Sequence, residues 1–288
     1  MKMNITKKIN HLVAFSAFLA AGLVGVTVYA APRTEVVGGL QWTYETLRRN
    51  SDNVFIKKVV PADPSSAVEG VVAIPSSFAN GKYKVTSLGS KLFSNNLYLE
   101  GVEIPSTVSY IGRNCFFRCQ NLRSIKIPAA VVEIDNSAFG GCKFLKTVEF
   151  EQGSKLARIG NYAFANTTNL ASIEIPESVT VINAGAFAGS GILRMLVPDS
   201  VKSLGMEAFS DCTELETAVI GSRVTIINSK TFSNCKKLQK VVLKSKYLSK
   251  INRNAFFNCK SLMQLETARP MVEVEVDANA FKGCPRKF

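Results

Sequence analysis

A phenylalanine returns at Phe93, Phe116, Phe139, Phe164, Phe187, Phe209, Phe232, Phe256 and Phe281, at intervals of 22 to 25 residues. Units of that length are too short to bury an apolar face alone, so they must stack on one another and share a continuous core. The chain is therefore expected to be a solenoid, with any function carried on the surface of the stack.

Aligning the units on the phenylalanine resolves three further columns. Five residues earlier stands an aliphatic residue, as in Leu88, Ile111, Ile134, Ile159 and Ile182. The next position is restricted to Gly, Asn or Asp: Gly89, Gly112, Asp135, Gly160, Asn183, Gly205, Asn228, Asn252 and Asp277. These residue types cap helices or accept a left-handed backbone, so the pattern predicts that a helical turn carrying Ala-Phe begins there. Calcium at Asp135 and Asp277 is a weaker alternative, because glycine serves the column equally well and no clustered oxygen ligands accompany it. After the phenylalanine, segments such as Leu122-x-x-Ile125-x-Ile127 and Leu170-x-x-Ile173-x-Ile175 alternate as strands do. Pro105, Pro128, Pro176 and Pro198 then stop the strand, having no N–H to give the ladder. The fold class expected is an α/β solenoid, a right-handed superhelix whose short parallel strands line a concave face.

Three residues after the phenylalanine stand Asn96, Cys119, Cys142, Thr167, Ser190, Cys212, Cys235, Cys259 and Cys284. Interchange with Ser, Thr and Asn points to a tight slot for a small, hydrogen-bonding side chain, hence to buried thiols. Disulfides between stacked units and a metal site are the alternatives. Cys115 occupies a small-residue column with Ala138 and Ala163.

Residues 1–30 read as a secretory signal peptide: Lys2, Lys7 and Lys8, an apolar run from Leu12 to Val28, then small residues before a cleavage site after Ala30. The run is almost long enough for an uncleaved membrane anchor. No later segment is apolar enough to span a membrane, and no cysteine follows the cleavage site to carry a lipid. Export places the mature chain outside the cell, at its surface or in a periplasm. Cleavage removes three lysines and lowers the net charge from +13 to +10. His11, the one histidine of the chain, leaves with it. The mature chain then has no imidazole for Ser-His-Asp or Cys-His catalysis or for a zinc site, and no cofactor motif. Basic residues are scattered among acidic ones, which argues against nucleic acid.

Residues 31–84 fall outside the repeat. Leu40, Trp42 and Tyr44 alternate, Asn50 to Asn53 supply a turn and Val54 to Val60 is β-prone. They predict a β-hairpin cap, with Trp42 in the core, ahead of a repeat domain of about nine units over residues 85–288.

The pattern Ile-Gly-x-x-Ala-Phe-x-x-Cys-x-x-Leu-x-x-Ile-x-Ile-Pro, nearly complete across Ile111 to Pro128 and Ile159 to Pro176, resembles the bacterial leucine-rich repeat of BspA-like surface proteins. The lead-in Val71-Val72-Ala73-Ile74-Pro75 with Gly81 to Gly89 is similar to that preceding many such repeats. The resemblance implies a non-enzymatic recognition module at the cell surface, of a kind often credited with adhesion to host or matrix proteins.

Side chains alternate across a strand, so the residue before the last inward aliphatic faces outward. That position reads Glu103, Lys126, Glu149, Glu174, Leu196, Val219, Val242 and Glu266. It is charged except at Leu196, Val219 and Val242. With Leu193 and Met263, and a rim of Arg194, Lys240 and Glu266, these residues are the candidate partner-binding patch. Three other surfaces compete with it. Arg123, Lys126 and Lys146 could take an anionic glycan, the bare last unit could join a second copy end to end, and Glu149 with Glu174 are the carboxylates available to a glycosidase-like reaction.

Overall fold

The computed structural model describes residues 31–48, 51–285 and 288. The expected signal peptide and His11 lie outside them.

The chain winds as a parallel β-solenoid whose units each run short strand, phenylalanine turn, long strand and return turn. The short strands stack in register from Tyr83–Leu88 through Tyr110–Ile111, Glu133–Ile134, Arg158–Ile159 and Val181–Ile182 to Ser203–Leu204. A second run joins Ile226–Ile227, Lys250–Ile251 and Glu275–Val276. Where the two runs meet, the side-chain amide of Asn228 donates to the Leu204 carbonyl at 2.7 Å in place of a backbone bond. The inward residues of both strand series close on the phenylalanines. Those rings form one column from Phe93 to Phe281, centroids 5.0–5.6 Å apart and planes within 17° of parallel.

The expected helical turn is absent. Among the described residues the single helical piece is the 3₁₀ turn Met271–Glu273, so the α in the anticipated α/β class is a misreading. The segment around each phenylalanine is instead a chain of tight turns. From Phe93 to Phe256 the residues two before and two after the ring take positive φ, for example Asn114 at 55° and Arg118 at 56°, or Asn254 at 59° and Asn258 at 58°. Alternate amides then point at the next unit: Asn114 N–H to Asn136 O at 2.9 Å, Phe116 to Ala138 at 2.8 Å and Arg118 to Gly140 at 2.8 Å. A helix would have directed those amides into its own preceding turn.

The Gly/Asn/Asp column also has a different cause from the one expected. None of its members adopts positive φ. Its glycines press against the backbone of the unit before: a Cβ on Gly112 would lie 2.6 Å from Leu88 O, and one on Gly160 2.6 Å from the Asp135 carbonyl carbon. Close stacking selects the small residue. Where Asp or Asn stands instead, its side chain serves local backbone or a neighbour, as Asp135 does for the Asn136 amide at 2.6 Å.

The thiol column behaves as a slot. All seven cysteines are unbridged, against the disulfide alternative. Cys119, Cys142, Cys212, Cys235 and Cys259 each donate S–H at 3.0–3.1 Å to the carbonyl of a phenylalanine in the preceding unit. Burial pushes the Cys119 thiol up to about 12 and that of Cys212 up to about 11.

The segment ahead of the repeat is larger than the expected hairpin. Strands β1 (Arg33–Val37), β2 (Leu40–Thr46) and β3 (Asn53–Pro61) form an antiparallel meander, and β3 pairs in parallel with Tyr83–Leu88. Trp42 is fully buried there, its indole N–H donating to Val37 O at 3.2 Å.

The long strands do not make one sheet. Gly70–Ala73 pairs with Leu99–Glu103, and Ser124–Ile127 with Thr147–Phe150. Arg194–Val197, Thr217–Ile220, Lys240–Leu243 and Gln264–Thr267 form a third group. Between the last two groups, Ser172 to Ile175 is extended in sequence pattern but belongs to no strand. The residue that follows each long strand explains most of the breaks. In three paired units this residue's amide reaches back to the preceding strand, Glu151 N–H to Ile127 O at 3.0 Å, Lys244 to Ile220 at 3.0 Å and Ala268 to Leu243 at 2.9 Å, while Thr217–Ile220 pairs without such a bond from Gly221. At Pro128, Pro176 and Pro198 that donor is missing, and each of these units is unpaired with the one before it. Pro105 is the exception, its strand joining Gly70–Ala73 without that bond.

Candidate functional site

The third group of long strands carries the predicted patch. Register sets Leu196 opposite Val219 and Val219 opposite Val242, with Glu266 on the last strand of the row. Their inward neighbours Met195, Ala218 and Val241 are buried, so strand alternation forces this row outward. Leu196 is 56% exposed, while Val219 and Val242, flanked on both sides, are half-buried. Lys240, two residues before Val242 on the same outward face, reaches Glu266 at 2.6 Å and closes one edge of the apolar row. Arg194 is exposed at the other end.

The patch is smaller than the sequence suggested. Leu193 and Met263 are 41% and 50% exposed, yet they occupy opposite ends of one column. Backbone bonds run Glu216 to Leu193, Gln239 to Glu216 and Met263 to Gln239. Glu216 and Gln239 thus separate the two, and the uninterrupted apolar row is Leu196, Val219 and Val242. Met263 instead lines a shallow recess of about 350 Å³ with Thr217, Gln239, Lys240 and Gln264.

The competing surfaces also take definite shape. Lys126 is engaged with Glu151 at 3.3 Å, Lys146 lines a cleft whose other charged residues are acidic, and Arg123 stands on the neighbouring unit, its carbonyl accepting from the Lys146 amide at 2.8 Å. Glu149 and Glu174 line that same cleft. Among the described residues no group of three His, Cys, Asp or Glu side chains could hold a metal ion. No helix there is long and apolar enough to cross a membrane. The strand Gln264–Thr267 pairs on one side alone, with Lys240–Leu243.

The sequence reading missed the cleft, although a signal for it was present. Phe139 and Phe164 are 25 residues apart, and the extra length falls in Glu151 to Lys155, a return turn two residues longer than the Pro128 to Ala130 turn before it.

The family model for the BspA type leucine-rich repeat region matches residues 86–216 and 157–286, with six copies. The chain belongs to this family. Among solved structures, the leucine-rich repeat protein of T. pallidum is 23% identical, with a TM-score of 0.50 over 75% of this chain and 90% of that one. That likeness supports the leucine-rich repeat fold. A leucine-rich cell surface protein of Faecalibacterium prausnitzii is 18% identical over 88% of this BspA-type chain and 98% of its own, with a TM-score of 0.46. A leucine-rich repeat protein of Bacteroides ovatus is 21% identical over 87% and 81%, at a TM-score of 0.42. No curated protein matches the chain.

Proposed function

We propose that this BspA-type protein is an exported, non-catalytic recognition module that binds a protein partner, of the host or its matrix, on the face lined by the long strands. In this reading that face is the concave one. The observation that carries it is the row Leu196, Val219 and Val242, three in-register outward positions that are apolar in a column otherwise charged. Outward apolar rows on a sheet are costly to leave wet, and a partner that covers them gains their burial. Arg194, Lys240 and Glu266 supply the charged rim that fixes orientation. Family membership supports recognition over catalysis.

The test is affinity capture from host extracellular matrix with the mature protein and with a Leu196→Glu, Val219→Glu, Val242→Glu variant. Partners held by the wild type should be lost by the variant while its circular dichroism stays unchanged. Equal capture by both would reject the patch.

A second reading is self-association in the envelope, favoured by the one-sided pairing of Gln264–Thr267. Sedimentation decides it: a concentration-dependent dimer supports end-to-end joining, and a monomer at all concentrations removes it.

A further inference from the structure

Ser172 to Ile175 is the one full turn of the solenoid's long-strand face that pairs with neither neighbour. Among the described residues, no backbone hydrogen bond engages these four residues. Leu193 N–H still reaches Ala171 O at 3.0 Å, and Asn169 N–H reaches Lys143 O at 3.2 Å, so the segment is anchored where it begins. It is anchored again at Ser178, whose hydroxyl donates to Leu156 O at 2.8 Å, and at Thr180, whose amide bonds Ala157 O at 2.9 Å. Between these points it stands apart.

Two features of the chain cause this. Pro176 removes the amide that would tie this unit back to Phe150, and Pro198 removes the one that would tie the next unit to it. The longer turn from Glu151 to Lys155 borders the same opening through Glu151, Gly153 and Ser154. The inward side chains register the opening: Ile173 and Ile175 are 7% and 8% exposed, where Ile125 and Ile127 in the same two columns are 2% and 0%.

The result is a cleft of about 780 Å³ between Thr147–Phe150 and Ser172–Ser178. Its volume lies in the range of ligand sites, roughly 300–1,000 Å³. The intact strands show how its walls are aimed. There the amides of outward residues such as Lys244 and Ala268 point to the preceding strand, and the carbonyls of inward residues such as Ile220 and Leu243 point to the following one. By the same register the carbonyls of Val148 and Phe150 on one wall, and the amides of Ser172 and Glu174 on the other, are directed into the cleft. A row of acceptors facing a row of donors is satisfied by a partner that repeats both at strand spacing, which is a polypeptide in extended conformation.

Charge narrows the choice. The cleft is lined by Glu149, Glu151, Glu174 and Glu177 against Lys146, in a chain whose overall charge is strongly basic. Glu151 is already held by the Ala129 amide at 3.1 Å and by Lys126, which leaves Glu149, Glu174 and Glu177 on the walls. Glu149 and Glu174 both face outward from their strands, so an added strand would bring alternate side chains over them.

We propose that this cleft binds an extended, basic peptide segment of a partner protein by strand addition, the peptide backbone taking up the free groups of the walls and its alternate Lys or Arg side chains meeting Glu149 and Glu174. The site is independent of the Leu196, Val219 and Val242 row, so its failure and the failure of that patch are separable.

The probes are an acetylated, amidated Val-Lys-Val-Lys-Val peptide, the same peptide N-methylated at alternate backbone amides, and Val-Glu-Val-Glu-Val. Calorimetry should show binding of the first, and a loss of about tenfold or more, ~1.4 kcal/mol, for each of the others. Glu174→Pro, which removes a wall amide that has no native partner, and the pair Glu149→Lys, Glu174→Lys should each weaken the first peptide by a similar factor. Val219→Glu should bind it as the wild type does. Amides of Ser172 to Ile175 should exchange quickly in the free protein and slow on adding the peptide. The proposal is overturned if the lysine peptide does not bind, if backbone N-methylation leaves its affinity unchanged, or if these amides in the free protein exchange as slowly as those of Met195 to Val197. The exchange measurement needs no variant, so it stands even where a substitution impairs folding.

Discussion

The two sides of each unit obey different rules. On the phenylalanine side, every ring meets the next at nearly constant spacing, and alternate amides cross to the neighbouring unit along the column. On the long-strand side, pairing is interrupted at Pro128, Pro176 and Pro198, and outward residues change from charged to apolar along one row. The first region is a shared core in which each unit supports two others, so variation there is felt along the stack. The second borders solvent, where a lost ladder bond is replaced by water at small net cost. Stability therefore resides mainly in one side, and the other is free to carry binding surfaces.

Removing a ring is the strongest way to test that division. Phe164→Ala takes a fully buried side chain from the middle of the column, and a loss of about 3–5 kcal/mol is expected from urea unfolding. Val219→Glu on the other side should stay within about 0.5 kcal/mol of wild type. Comparable losses from the two substitutions would break the comparison.

The thiols probe the same core through its chemistry. Desolvation holds Cys119 at about 12, so at pH 8 its thiolate is about a thousandfold scarcer than that of an ordinary thiol near 8.5–9. Cys119, Cys142, Cys212, Cys235 and Cys259 should resist alkylation in the folded protein. Cys284 should label first, because it is only half-buried where these five are enclosed. The raised values also set a pH dependence. The unfolded chain loses these thiol protons near the ordinary pKa while the folded chain keeps them, so stability is fully present below about pH 8.5 and declines as pH rises toward 11–12. The thermal midpoint measured from pH 8 to 11 should fall steadily. A flat profile with rapid labelling at Cys119 would show that the slot is open.

The smallest effect sharpens the account of the long-strand side. Pro176→Glu restores the residue type that Glu151 provides one unit earlier, and its amide should reach Phe150 O. A gain of about 0.5–1.5 kcal/mol is expected, with slower exchange at Ser172 to Ile175 and weaker binding of the lysine peptide. Unchanged exchange would assign the cleft to the long Glu151 to Lys155 turn alone.

Much of this was legible in residue order. The phenylalanine spacing gives stacking, the Ile125 and Ile127 alternation gives strands, and the Cys/Ser/Thr/Asn column gives a polar slot filled by unbridged thiols. The turn was misread because Gly, Asn and Asp serve helix caps, left-handed turns and tight contacts alike, and the sequence does not say which neighbour is near. A signal for the true geometry was available in Asn95, Asn114, Asn166, Asn234, Asn254 and Asn258, which recur two residues either side of the ring and tolerate positive φ. The outward apolar row Leu196, Val219 and Val242 was legible from strand alternation. The separation of Leu193 from Met263 was not, because they are related by a column that only the register of four units reveals.

The repeat itself fixed the solenoid, the membership of its core and the outward direction of each strand residue. Those follow from local periodicity, which every unit states again. Tertiary structure decided which units pair, how far the apolar row runs and where the stack opens. These depend on the distance between backbones in successive units, and that distance is set jointly by a missing proline donor in one unit and the length of a turn in another.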